Sequence, residues 1–247
     1  MKTPRYYRTK RALAALAGVL GHLPGARAWS DRTRRRLRLY SFADVAGYAS
    51  QWGQDMFVDQ CVFGERRGGT FVDIGANDGL ACSNTYFFET TRGWSGLCVE
   101  PQPSMFAELQ RRRRCVCVEG CAGTSDGDVP FTLVEGDSNL LSGRPDIFPE
   151  GHERRIADTT HTSISVKCYE INALIRRHGI TSIDFLSIDT EGGEDALVAA
   201  MDLDAFNVRA IAIENNYNDR RIEAALDARG YDFVAWMGSD EIYVRRA

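Results

Sequence analysis

The sequence lacks an apolar run long enough to cross a membrane. Ala12–Leu23 extends for about 12 residues where roughly 20 are needed, and Gly18, Gly21 and His22 interrupt it. It also lacks internal repeats and low-complexity linkers, which excludes solenoids and strings of small modules. None of its seven cysteines stands at C-x-x-C spacing, so zinc is not expected. Cys115 and Cys117 share a strand face, but no second ligand pair follows. Their count is odd and most sit in apolar, strand-like surroundings, which fits buried thiols in a reducing, cytoplasmic compartment. A net charge of −4 gives no general case for nucleic-acid binding.

That modest charge conceals an asymmetry. Residues 1–40 carry eleven Lys/Arg against a single acid, Asp31; the rest of the chain is left with a net charge of about −14. The basic extension over 1–49 reads as a helix packed on the domain, a targeting segment ending near Ala26-Arg27-Ala28, or an arm that touches a membrane surface. Arg34-Arg35-Arg36 reads as a solvated helix face.

From Thr70 onward apolar runs alternate with helical patterns, as in crossover units on a parallel sheet. Strands are expected at Phe71–Ile74, Gly96–Glu100, Cys115–Val118, Val129–Val134, Ile164–Lys167, Ile183–Ile188 and Val208–Ile213. Helices are expected at Ser83–Thr91, Pro103–Arg113, Tyr169–His178, Glu194–Met201 and Asn218–Arg229. Tyr231–Met237 and Glu241–Arg245 form a hairpin around Gly238-Ser239-Asp240. Gly136–Thr160, rich in Gly, Pro, Asp and Arg, is expected to be a long loop. One domain covers 50–247.

Phe71-Val72-Asp73-Ile74-Gly75-Ala76-Asn77-Asp78-Gly79 is a buried strand running into a glycine turn, with a helix after it. In a parallel sheet that turn lies at the carboxyl edge, where ligands bind. Glu100 ends the next strand and can accept both ribose hydroxyls of a nucleoside. A dinucleotide fingerprint anchored at Gly75 needs glycine at 77 and 80, and these positions hold Asn77 and Leu80. S-adenosylmethionine carries no phosphate and needs no such cradle; Asp73 is placed for its amino group. Asp189 and Glu191 follow an apolar strand and reach the same edge, as does Glu214 with Asn215 and Asn216. They can take a proton from an acceptor, hold a divalent metal, or simply cap the helix starting near Glu194. His161 reads as an exposed loop histidine, Ser83 as a helix cap, and Trp52 and Phe57 as core residues.

Phe71–Gly79, Ser83-Asn84-Thr85 and Gly93–Pro101 together resemble the FkbM-type methyltransferases. So do Ile183–Glu194 and Ile213-Glu214-Asn215. Ser50–Asp55 resembles that family's lead-in, in which an acid often replaces Gln54. The resemblance spans about 50–245 and rests on the blocks occurring in order. It implies a Rossmann-like class I methyltransferase fold with a mostly parallel seven-stranded sheet and an antiparallel C-terminal hairpin strand. It also implies methyl transfer from S-adenosylmethionine to oxygen on a small molecule or glycan. On this reading Asp73, Gly75, Asn77, Gly79 and Glu100 hold the cofactor, and Asp189, Glu191 and Glu214 face the acceptor. The alternatives are a binding protein that keeps the fold without catalysis and a nicotinamide-dependent oxidoreductase. Because every expected strand starts later, deleting residues 1–40 leaves a folded domain; loss of a cooperative melt in the truncated protein would place the arm in the core.

Overall fold

The structure, a computed structural model, describes residues 47–148, 151–216 and 220–246. Ala12–Leu23, Arg34-Arg35-Arg36 and all but the last three residues of the basic extension lie outside the described residues. In chain order the elements begin with a helical turn α1 (Gln54–Phe57), which continues as one π-turn over Val58–Val62. Then come β1 (Thr70–Ile74), α2 (Tyr86–Thr90), β2 (Ser95–Glu100), α3 (Pro103–Arg112), β3 (Val116–Glu119), β4 (Cys121–Gly123) and β5 (Gly127–Val134). Two 3-10 turns, Gly136–Leu141 and Pro145–Ile147, lead to α4 (His152–Ile156), β6 (His161–Glu170), α5 (Ile171–Arg177) and β7 (Phe185–Ile188). The chain closes with α6 (Glu194–Ala200), β8 (Ala210–Glu214), α7 (Arg220–Ala228), β9 (Tyr231–Met237) and β10 (Asp240–Arg245).

Seven strands form one sheet in the order β3-β2-β1-β7-β8-β10-β9. The first five are parallel, and β10 runs antiparallel to both β8 and β9. This is the Rossmann-like class I methyltransferase arrangement, with its reversed strand beside the fifth parallel one. The central strands are apolar at nearly every position because both of their faces are covered. Val72, Ile74, Leu97, Val99, Leu186, Ile188, Ile211 and Ile213 face a core closed by α5, α6 and α7. Phe71, Cys98, Phe185, Ala210 and Ala212 face a second core with Phe88, Trp94 and Leu109.

Three expectations are corrected. The segment 136–160 is no plain loop: it holds two 3-10 turns and α4, and Gly143 exchanges backbone hydrogen bonds with Thr132 of β5. The strand expected at Ile164–Lys167 is the middle of a ten-residue strand, β6. β6 pairs antiparallel with β5 and parallel with β4, making a separate three-stranded sheet. β6 alternates, with Ile164, Val166 and Cys168 against Ser165 and Lys167, as a strand with one exposed face does, whereas β4 is only three residues long and left no clear pattern. The helix expected at Ser83–Thr91, α2, begins at Tyr86, and Ser83 Oγ accepts from the amides of Thr85 and Tyr86 at its start. Elsewhere boundaries move by one or two residues; the expected start of the last helix, Asn218, lies outside the described residues.

All seven cysteines are free thiols. His161 is exposed, as expected, though it opens β6. Phe57 lies in the second core.

α2 and α3 are locked together by Arg113, whose side chain is fully buried. It pairs with Glu89 and donates to Thr85 Oγ1 at 3.0 Å, while its guanidinium lies 5.2 Å from the Phe71 ring. Glu89 also accepts from the amides of Arg114 (2.6 Å) and Cys115 (2.8 Å), tying in the approach to β3. Replacing Arg113 with Leu strands Glu89 and Asp73 as buried acids without a counter-ion. The expected loss is roughly 3–5 kcal/mol in urea unfolding; a loss under about 1 kcal/mol would show that the pair contributes little.

Candidate functional site

The chain reverses its direction of winding between β1 and β7, so the connections after these neighbouring strands leave on opposite sides. The crevice outside their carboxyl ends is where such sheets bind ligands. A cavity of about 590 Å³ opens there, lined from the ends of β1, β2, β7 and β8 and roofed by the segment between β5 and β6.

The turn after β1 is shaped by close approach. Gly75 has φ +84°, and a Cβ on it would lie 1.7 Å from the carbonyl oxygen of Asp189. Only glycine allows β1 and β7 to exit this close together. The amides of Gly75 and Ala76 both donate to Val99 O, and the amide of Asp189 donates to Ile74 O. Asn77 follows with φ +48°, a conformation asparagine tolerates. Its amide donates to Glu100 Oε2 at 2.7 Å, and the amide of Gln102 donates to Oε1 at 2.8 Å. Burial pushes the Glu100 carboxyl up to about 7, against the pull of those two N–H groups. Glu100 is 3% exposed and faces the cavity.

Asp73 also lines the cavity and is likewise buried. Its Oδ2 accepts from Thr85 Oγ1 at 2.5 Å; burial raises its carboxyl pKa, and nearby Arg113 counteracts this. Gly79 stands apart from the cavity. A Cβ on it would meet Leu109 Cδ1 at 2.7 Å and Arg113 Cγ at 2.9 Å, so this glycine allows close packing against α3. Nor does a helix follow the turn directly. Asp78 Oδ1 takes the amides of Leu80 and Ala81, and a loop runs to Tyr86.

Across the cavity, one carboxylate oxygen from each of Asp189, Glu191 and Glu214 lies within 4.8 Å of the others. Glu191 has φ +54°, followed by Gly192 at +136° and Gly193 at +82°. A left-handed glutamate costs on the order of 1–3 kcal/mol and tends to mark functional sites. Here it belongs to the bend that carries the glutamate back toward Asp189. Helix capping does not account for these acids. Glu194 Oε1 accepts from the amides of Thr190 (3.2 Å) and Gly192 (2.9 Å), and the α6 N-cap is Gly193. Asp189 is open to the cavity yet walled by protein. Burial, then the charges of Asp240 and Glu191, pushes its carboxyl well above the usual range, while a hydrogen bond with Glu214 opposes the rise. Burial and Asp189 raise Glu214 in the same way. Burial lifts Glu191 to about 7, against the attraction of Arg155, whose Nη1 is 3.7 Å from Glu191 Oε2.

Three participants were not singled out from sequence. Asp240, at the start of β10, accepts from Gln54 Nε2 (2.8 Å) and Asn84 Nδ2 (3.4 Å), beneath the acid cluster. Gln102 ties the roof to β2: Ser142 Oγ donates to its Oε1, and its Nε2 donates to Asn139 O. His152, fully buried, stacks on Phe148 with ring centroids 4.1 Å apart. Its Nε2 is 2.9 Å from Leu141 O, and its Nδ1 is 3.8 Å from Glu191 Oε2. Burial lowers the pKa of this imidazole. Sequence offered one signal, a histidine within an Arg- and Glu-rich stretch, and nothing linked it to Glu191. Trp52, expected in the core, packs against the second core and over Gly238, and it also lines the cavity.

The donor set fits a nucleoside cofactor that carries an ammonium and a sulfonium. Asn77 Oδ1 and Asn84 Oδ1 are buried without a hydrogen-bond partner in the protein, both residues line the cavity, and the wall is otherwise rich in carboxylates. Donors and positive charge are what such a wall accepts.

The Methyltransferase FkbM domain family matches residues 73–233, about two-thirds of the chain. No curated protein matches the sequence. Among solved structures, the methyltransferase FkbM from Methylobacillus flagellatus KT superposes with a TM-score of 0.48 at 14% identity, covering 97% of this chain and 58% of that one. The TehB-like SAM-dependent methyltransferase from Corynebacterium glutamicum gives 0.38 at 12%, over 89% and 97%. The N-terminal domain of human METTL16 in complex with SAH gives 0.37 at 15%, over 72% and 60%. The chain thus spans about three-fifths of the length of the FkbM and METTL16 structures. Among the described residues no helix is long and apolar enough to cross a membrane. With the family's residues 73–233 supplying the strand ends and turns that build the cavity, the chain belongs to the methyltransferase FkbM domain family.

Proposed function

We propose that this protein transfers a methyl group from S-adenosylmethionine to a hydroxyl oxygen of a small molecule or glycan. The observation that carries this reading is the pairing, across one cavity, of Glu100 and the Asn77 turn with the trio Asp189, Glu191 and Glu214. S-adenosylmethionine supplies a methyl group on a cationic sulfur. Glu100 accepts the ribose hydroxyls, and Asn77 Oδ1, Asn84 Oδ1 and Asp73 offer acceptors to the ammonium and adenine donors. The acid trio takes the proton of the acceptor hydroxyl. Glu191, held near 7, is matched to neutral pH as a general base. The same acids are placed to hold a divalent cation.

A nicotinamide dinucleotide fits poorly. Its pyrophosphate needs free amides, and those of Gly75 and Ala76 serve Val99 O, that of Asn77 serves Glu100, and those of Leu80 and Ala81 serve Asp78. The acidic wall also repels phosphate. A binding protein that keeps the fold without catalysis has no need of Glu191 in a costly left-handed conformation.

Calorimetry on the full chain is expected to show binding of S-adenosylhomocysteine and none of NAD; the reverse would overturn the reading. Glu100→Ala is expected to weaken that binding by roughly 1.5–3 kcal/mol, the scale of hydrogen bonds to a charged group. The pH dependence has a definite sign. Glu100 and Glu191 hold protons more tightly folded, near 7, than at their ordinary value of 4.5. Stability of the free protein therefore falls as pH rises through that window. Ribose hydroxyls favour ionised Glu100, so affinity rises over the same window and flattens in Glu100→Gln. An affinity independent of pH from 5 to 8 (roughly the span over which such a group titrates) would remove Glu100 from the site.

Asp189→Asn and Glu191→Gln keep shape and remove charge. Turnover is expected to fall about 10²–10⁴-fold, with cofactor affinity nearly unchanged. Full turnover in both variants would leave the acids without a chemical role.

A further inference from the structure

We infer that Trp52 is the platform on which the acceptor lies, and that the acceptor offers its hydroxyl on a neutral sugar ring. That the bound sugar is the methyl acceptor rests on the methyltransferase reading; the sugar site itself does not. Trp52 is half-buried and lines the cavity. A Cβ on Gly238 would lie 2.1–2.3 Å from three consecutive indole atoms, Cδ1, Nε1 and Cγ. Near-equal distances to three consecutive ring atoms place Gly238 against the face of the indole and not its edge. The ring therefore rests on the turn between β9 and β10, where a side chain at 238 would displace it. One face is covered by that turn, so the cavity meets the rest of the ring.

The platform is fixed before any ligand arrives. Gln54 clamps it with both ends of one amide: Oε1 accepts from the Trp52 amide at 2.8 Å, and Nε2 donates to Asp240 just past the turn, also at 2.8 Å. Upstream, buried Asp55 accepts from the amides of Ala49 (2.7 Å) and Ser50 (3.2 Å), and Ser50 bridges to Cys82. A ligand gains contact with such a ring without the cost of ordering it.

Sheet order says what the ligand reaches. Glu100 ends β2, Asp189 and Glu214 lie at the ends of β7 and β8, and β10 comes next, with Asp240 opposite Glu214. The amide of Asn215 donates to Ser239 O at 2.9 Å and ties the turn to the end of β8. Cofactor wall, acids and Trp52 thus follow one another along one sheet edge. An acceptor with its hydroxyl at the acids has its body over Trp52. The groups beside the ring that line the cavity are polar: Gln51, Glu214, Asn216 and Ser239. An aromatic face rimmed by amides, a hydroxyl and a carboxylate matches a molecule with a C–H face and a hydroxyl edge, which describes a sugar ring. A wholly apolar acceptor would strip water from that rim and leave it without partners. An ammonium would also find an aromatic ring and acids. Burial, however, already raises the carboxyls of Asp189, Glu191 and Glu214, so protons answer part of their charge. Hydroxyls are the donors this wall accepts and also the nucleophile the transfer needs.

The test uses the full chain, with S-adenosylhomocysteine present, on a printed array of neutral oligosaccharides. Wild type is expected to be retained on a subset that shares one sugar. Trp52→Leu is expected to weaken retention about tenfold, and Trp52→Phe, which keeps an aromatic face, by less. Affinity for S-adenosylhomocysteine is expected to stay unchanged in both. Saturation-transfer NMR of the wild type with the methyl glycoside of that sugar is expected to mark the C–H protons of one ring face. If Trp52→Leu fails to melt cooperatively, Trp52→Phe and the wild-type NMR pattern carry the test. Retention of no oligosaccharide overturns the site. So does retention indifferent to Trp52→Leu in a folded protein, so does a glycoside with no marked face, and so does binding of tetramethylammonium in place of any sugar. Binding of S-adenosylhomocysteine without retention overturns the sugar site alone. Trp52-dependent retention without that binding sustains the site and overturns the methyltransferase reading.

Discussion

The close approach of two strand exits, at Gly75 and Asp189, is the constraint on which the site depends. β1 and β7 are hydrogen-bonded neighbours through Ile74 and Ile188, and the pairing extends one residue further through the Asp189 amide. Beyond it the chains must part. With any side chain at 75, a Cβ would collide with the Asp189 carbonyl, so the strands would have to separate earlier. The turn that presents Asn77 to Glu100, and the bend that returns Glu191 to Asp189, both start from this contact. One glycine therefore sets the spacing between the two halves of the cavity.

Around that contact the protein gathers acids where burial opposes charge. Burying carboxylates is costly unless they are paired or hydrogen-bonded, and the usual response is to hold protons. Glu100 has two backbone N–H donors, and Asp240 has the amides of Gln54 and Asn84. The trio Asp189, Glu191 and Glu214 has less: a shared hydrogen bond and one distant arginine. This inequality separates them chemically. The hydrogen-bonded acids fix geometry, and the under-satisfied ones are left to exchange protons or take up positive charge. Gln54 stands where the resembling family often has an acid, and its amide donates to buried Asp240. An acid there would add a further negative charge to an already crowded region.

The roof is built differently from the floor. It has its own three-stranded sheet and small apolar core of Cys121, Phe131, Val166 and Cys168, and it is tied to the main sheet by Gln102 bonds to Asn139 and Ser142. His152 belongs to this roof, and its proximity to Glu191 joins the two layers.

The central sheet was legible from sequence because its strands are buried on both faces and read as continuous apolar runs, as in Phe71–Ile74 and Phe185–Ile188. Glu100 and the 73–79 turn were legible because strand-end position is a local property. The place of Gly79 was not legible, because glycine for ligand approach and glycine for helix packing look identical in one dimension; in the fold it packs against Leu109 and Arg113 and does not line the cavity. The turns of the roof left little periodicity, since its helical pieces are three to six residues long. What the sequence by itself determined was the order of strands and the acids at their ends, since both are written in short contiguous segments. What only the tertiary structure decided was that His152 meets Glu191 and that Asp240 lies beneath the cluster. Those contacts join residues 39 and about 50 positions apart through the folding of separate layers, and no local pattern records them.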